Sequence, residues 1–89
     1  MKTNQYKLFE YWVERDSLMA CCVACDIAQS KMYGVSALAW LAEVRMLRPE
    51  LVGCVEAAEF WCDYRPLRRA LWRALRKTGR TWRQVYVRC

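Results

Sequence analysis

Apolar residues recur at three- and four-residue steps along most of this chain, the spacing of one face of an α-helix. In "NQYKLFEYWVERD" the stripe is Leu8, Phe9, Trp12 and Val13, with Lys7, Glu10 and Glu14 elsewhere and Thr3 or Asn4 as the cap. "SLMACCVACDIAQSKM" continues or restarts at Ser17 and carries Leu18, Ala20, Cys21, Ala24, Cys25 and Ala28 in register, until Gly34 breaks it. "SALAWLAEVRML" follows, with Ser36 as N-cap. Its buried stripe is either Leu38, Leu41 and Val44 or Trp40, Val44 and Leu47. Pro49 ends that helix and suits the first turn of the next, where its missing N–H costs nothing. "PELVGCVEAAEFWCDY" then aligns Leu51, Val55, Ala58 and Trp61 or Cys62. Pro66 repeats the device and opens "PLRRALWRALRK", which Thr78 and Gly79 close, Gly79 at the left-handed cap position. "RTWRQVYVRC" sets Trp82 and Tyr86 a helical step apart among the β-formers Val85, Tyr86 and Val87, and an irregular or short extended tail is expected. No strand run competes elsewhere. The expected fold is all-α: one domain over 1–89 of four or five short antiparallel helices, ending in a basic helix and a short tail.

Charge divides that domain. Residues 64–89 hold nine Arg or Lys and no acid, whereas residues 1–63 hold six basic residues and nine acids. The balance is 6 − 9 = −3 in the helical body and 9 − 0 = +9 in the basic helix and tail. With 56% of residues apolar and five Trp, the chain has enough material for a packed core, and disorder is not expected outside the +9 segment. Glu10, Glu14 and Asp16 interrupt any secretory signal. The longest apolar stretches, such as "MACCVAC", are far too short to span a bilayer. A cytoplasmic protein is expected, with no membrane partner.

In that compartment the six cysteines, Cys21, Cys22, Cys25, Cys54, Cys62 and Cys89, read mostly as small buried apolar residues with free thiols. The alternatives are disulfides, or a zinc site in which Cys21 and Cys25, one turn apart, share a metal with Cys54 and Cys62. The spacing of Cys21 and Cys25 is not that of a C-x2-C knuckle and the chain has no His. No metal or other cofactor is therefore expected. Catalysis is not expected either. Gly34, Gly53 and Gly79 are isolated, so no phosphate-cradling loop exists. Nothing near Cys22 in sequence would activate it as a nucleophile. Glu56, Glu59 and Asp63 share one helical face, which reads as a solvated face or as counter-charge for the following basic helix.

A shift of 34 residues aligns Val23 with Ala57, Ala24 with Ala58, Ile27 with Trp61 and Ser36 with Ala70, and 34 is the tetratricopeptide period. Residues 20–49 resemble that motif through Val23, Ala24, Ile27, Tyr33, Ser36, Trp40 and Pro49. The resemblance implies stacked helical hairpins in which small residues permit close approach. It departs at Glu43, where a small residue is expected, and at Ala74, which replaces an aromatic in the second copy. "ACDIAQSKMYGVSALAWL" and "EFWCDYR" are also similar to small bacterial regulators of the PerC and ANR types. Those families imply binding to transcription activators or control of virulence operons. Small tetratricopeptide-like secretion chaperones share the same pattern.

The basic helix is the strongest functional feature. At about 100° per residue, Leu67, Leu71, Ala74 and Leu75 form its apolar stripe. Arg65, Arg69, Arg73 and Arg76 gather opposite, with Trp72 on the border. The acids Glu56, Glu59 and Asp63 are too few to cancel nine bases. Arg forks suit phosphates and carboxylates, and Trp72 and Trp82 suit stacking on unpaired bases. The expected function is that of a non-catalytic interaction protein that regulates, chaperones or inhibits another macromolecule, most readily a protein. Its contact residues would be Arg65, Arg69, Trp72, Arg73, Arg76, Arg80, Trp82 and Arg83, with Tyr33, Trp40 and Trp61 as a second surface. The alternative is a nucleic-acid-binding transcription regulator using the helix at 66–78. A homo-oligomer is compatible with either.

Overall fold

The computed structural model describes residues 2–32 and 34–86, and side chains within them from residue 5 onward. Tyr33, Arg88 and Cys89 lie outside the described residues. The fold is all-α. Helices α1 (Lys2–Val13), α2 (Ser17–Lys31) and α3 (Val35–Leu47) are followed by a 3-10 turn (Pro49–Leu51). Helices α4 (Val52–Trp61) and α5 (Arg65–Lys77) come next, then a second 3-10 turn (Trp82–Val85). Among the described residues there is no strand.

Helix α2 is the centre. It packs against α1, α3, α5 and the C-terminal turn. Every residue from Leu18 to Ala28 is buried except Asp26, which is half-buried. A helix enclosed on all sides needs small residues where neighbours approach, and Ala20, Cys21, Cys22, Ala24, Cys25 and Ala28 supply them. Asp16 starts α2, its carboxylate accepting from the Leu18 and Met19 N–H groups at 3.1 and 3.3 Å.

Helix starts and stops follow backbone chemistry more closely than side-chain caps. Thr3 and Asn4 lie inside α1, which begins a turn earlier than expected. The N-cap of α3 is Gly34, at φ 103°, and Ser36 is inside the helix rather than capping it. Pro49 opens a 3-10 turn before α4 begins. At the end of α5, Gly79 takes φ 73°. Its N–H donates to the Arg76 carbonyl and that of Arg80 to the Leu75 carbonyl, both at 3.0 Å, which is the paired closure of a Schellman motif. That reversal turns the chain back toward α2. Thr81 and Gln84 then form a capping box. The segment expected to be irregular or extended is instead a 3-10 turn whose Trp82 and Val85 are buried. The Trp12 indole N–H donates to the Val85 carbonyl at 2.7 Å, fastening α1 to this turn.

The apolar stripes are narrower than the pattern suggests. Among the described side chains of α1 only Leu8 is buried, with Phe9 and Trp12 half-buried and Val13 exposed. In α3 the buried residues are Ala37, Leu41 and Val44, and Leu38 is exposed. In α4 they are Val55 and Ala58; Leu51 is half-buried, and Trp61 and Cys62 point to solvent. The stripe of α5 is as expected, with Leu67, Leu71 and Leu75 buried and Ala74 half-buried.

Candidate interaction surface

Leucines four residues apart fix which side of α5 faces the core, and so fix where its arginines go. Arg65, Arg68, Arg69, Trp72, Arg73 and Arg76 line an open concavity of about 490 Å³. Three of the arginines of 64–86 are held by carboxylates within the molecule. Asp63 and Arg65 form a two-bonded pair at 2.9 and 3.1 Å, and the Arg65 N–H also donates to Asp63 at 3.1 Å. These bonds hold the Asp63 carboxyl below its ordinary range and raise Arg65 above its own. Arg68 donates to Asp26 at 2.6 Å and to Gln29 at 3.1 Å. Arg80 is bonded to Asp16. Among the described residues, Arg69, Arg73, Arg76, Lys77 and Arg83 have no carboxylate partner.

The counter-charges differ from those expected. Glu59 pairs with Arg45 of α3 at 2.6 Å, and Glu56 is exposed. Of the acids at 56, 59 and 63 only Asp63 meets the basic helix. The acids that anchor the basic segment are Asp16 and Asp26, both belonging to α2 and its cap.

Asp26 is a meeting point. Its carboxylate accepts from Arg68, from the Trp82 indole N–H at 2.9 Å and from the Tyr86 hydroxyl. Burial, first, and the carboxylate beside it push the Tyr86 phenol up. The Arg68 guanidinium lies over the Trp82 ring, 4.4 Å from its centroid. Trp82 is 7% exposed and is therefore a core residue, not the stacking platform expected of it. Its ring supports Trp72, whose centroid is 5.8 Å away, leaving Trp72 40% exposed among the free arginines. Arg80 is likewise tied to the body, and Arg83 is exposed.

A second concavity of about 480 Å³ is lined by Gln29, Met32, Cys62, Asp63, Tyr64 and Arg65. Arg65 belongs to both, so the two hollows adjoin. Here two helix ends meet. Met32 and Cys62 both take positive φ, 70° and 52°, Cys62 in the left-handed helical conformation. The Met32 carbonyl accepts from the Cys62 thiol at 3.0 Å and from the Tyr64 hydroxyl at 3.4 Å. Beside Cys62, Phe60 and Trp61 are 73% and 79% exposed.

Trp40 and Trp61 are not brought together. Trp40 is half-buried, stacked on Tyr6 at 5.5 Å and edge-on to Phe9 at 5.0 Å. Tyr33, the third residue expected on that surface, lies outside the described residues. Sequence reasoning missed Asp26, Phe60 and Met32, and placed Arg68 outside the cluster. The signal for Asp26 was present: it is the one charge within an otherwise apolar run.

Burial pushes the Cys21 and Cys25 thiols up to about 12, and that of Cys22 higher still. Among the described residues no three Cys, Asp or Glu side chains gather as a metal ion would require, and no helix is long and apolar enough to cross a membrane. No family model, curated protein or solved structure matches the chain.

Proposed function

We propose that this chain is a non-catalytic, cytoplasmic interaction protein. It binds another protein stoichiometrically through the arginine face of α5, and so regulates, chaperones or inhibits it. One observation carries the reading. Among the described residues Arg69, Arg73 and Arg76 form no ion pair, yet they line one hollow with a half-exposed Trp72 that rests on the buried Trp82 ring. Through Arg65 this face adjoins a hollow containing Met32, next to exposed Phe60 and Trp61. Arginine, methionine and aromatic residues are the types enriched in protein interfaces. The buried thiols, held protonated, suit packing rather than nucleophilic work. Buried Ala24 and Ala58 support a body built on tetratricopeptide-like hairpins.

A nucleic-acid reading is weakened by the burial of Trp82, which removes one of its two stacking rings. Salt and nuclease discriminate. A protein partner should stay bound after nuclease treatment and weaken only modestly across about 50–200 mM salt, as exposed ion pairs are screened. Phosphate binding through several arginines would lose orders of magnitude over that range through counterion release. Loss of the captured partner on nuclease treatment would overturn the proposal.

A further inference from the structure

We infer that the segment recognised by α5 is an acidic amphipathic helix, lying along α5 with carboxylates on Arg69, Arg73 and Arg76 and an apolar side chain on Trp72. This rests on the protein-binding reading above and specifies its partner. The free arginines follow one another at steps of four and three residues, so they climb about 6 Å and then about 4.5 Å along the helix axis. A second helix repeats that rise, and its acids at the same steps meet all three guanidinium forks. An extended peptide advances about 6.6–6.8 Å for every two residues and falls out of step. It would also bring unpaired backbone N–H and C=O groups. Among the described residues the protein offers no strand edge to receive them, whereas a helix satisfies its own.

Charge sets the sign of the partner. No carboxylate of the described residues reaches Arg69, Arg73 or Arg76, while their neighbours Arg65 and Arg68 are already paired. Trp72 sets its character. The ring rests on Trp82 and stands half-exposed at the edge of the arginine face, which gives the partner an apolar contact beside the charges. Once a partner covers it, such a centre is where arginine contacts gain strength.

The test uses the full chain and three probes: a synthetic helix with Glu at i, i+4 and i+7 flanking a Leu, a scrambled peptide of identical composition, and a DNA duplex. Binding is read by calorimetry and by tryptophan fluorescence. The designed helix should bind at least about tenfold more tightly than the scramble. Arg69→Ala/Arg73→Ala/Arg76→Ala should abolish that advantage while circular dichroism stays unchanged. Equal binding of the two peptides, or binding of neither, would sink the helix inference. The broader reading would still stand if the triple variant lost a nuclease-resistant protein partner. Tighter binding of the duplex than of either peptide would overturn both. A concentration-dependent dimer removed by the triple substitution would make the occupant a second copy and reject the acidic helix.

Discussion

Helices α2 and α5 lie against each other and follow opposite rules. Helix α2 is apolar on every side, and the one acid within its buried stretch is fully engaged. Helix α5 buries a single row of leucines and, among the described residues, leaves Arg69, Arg73 and Arg76 without a carboxylate partner. The first is closed in by the fold, and the second leaves about half of its residues exposed. Arg68 marks the boundary. It belongs to α5 by sequence, but Asp26, Gln29 and the Trp82 ring claim it for the core.

The contrast breaks most readily at Asp26. Asp26→Ala leaves Arg68, the Trp82 indole and the Tyr86 hydroxyl without their shared acceptor, at a cost of about 3 kcal/mol. A urea midpoint close to that of the parent would show that the acid is not what joins the two helices. Ala24→Leu should cost about 1–3 kcal/mol by overpacking a helix that has no free side, and Ala58→Leu in α4 should cost less within that range because its environment is more open. Melting curves for the two variants check both magnitude and order. Trp72→Ala should cost about 1 kcal/mol, by loss of its ring contact with Trp82, and weaken binding as well.

High pH sharpens the comparison. The Cys21 and Cys25 thiols have an ordinary pKa of 9.0 and are raised to about 12 in the folded chain. The unfolded chain therefore releases these protons first, so their contribution is complete below pH 9 and declines as pH rises toward 12. Urea midpoints across that interval should fall less steeply in Cys21→Ala/Cys25→Ala than in the parent. The smallest effect on stability belongs to Arg69→Ala/Arg73→Ala/Arg76→Ala. It should leave the urea midpoint unmoved or slightly raised, since like charges one turn apart are separated, while partner binding drops at least about tenfold. A triple variant that unfolded yet still bound would place function on the Phe60 and Trp61 side.

Much of this was legible from spacing. The leucine stripe of α5, the Gly79 reversal and the grouping of Arg65, Arg69, Arg73 and Arg76 around Trp72 all follow from local periodicity and backbone sterics. What escaped depends on which distant residues meet. Trp82 looks like a free aromatic in a basic tail because its partner, Asp26, lies 56 residues earlier. Glu59 looks like counter-charge for α5 because the two are neighbours in sequence, yet Arg45 across the α3–α4 contact takes it. The outward turn of Phe60 is equally invisible, since α4 is apolar enough to have buried either face, and periodicity alone sets Trp61 in the buried stripe as readily as on the surface where it stands.

The bonds that close the molecule span most of its length. Asp16 meets Arg80 across 64 residues, Trp12 meets Val85 across 73, and Asp26 draws on residues 42, 56 and 60 positions later. During synthesis from the N-terminus, the ribosome delivers α2 long before it delivers the groups that satisfy Asp26 and Asp16. The central helix emerges with its greasy sides bare, Asp26 unmatched and Asp16 engaged only as its own cap, and long loops must close before the distant contacts form. Those contacts can form only once residues 68–86 have left the ribosome and folded back onto α1 and α2.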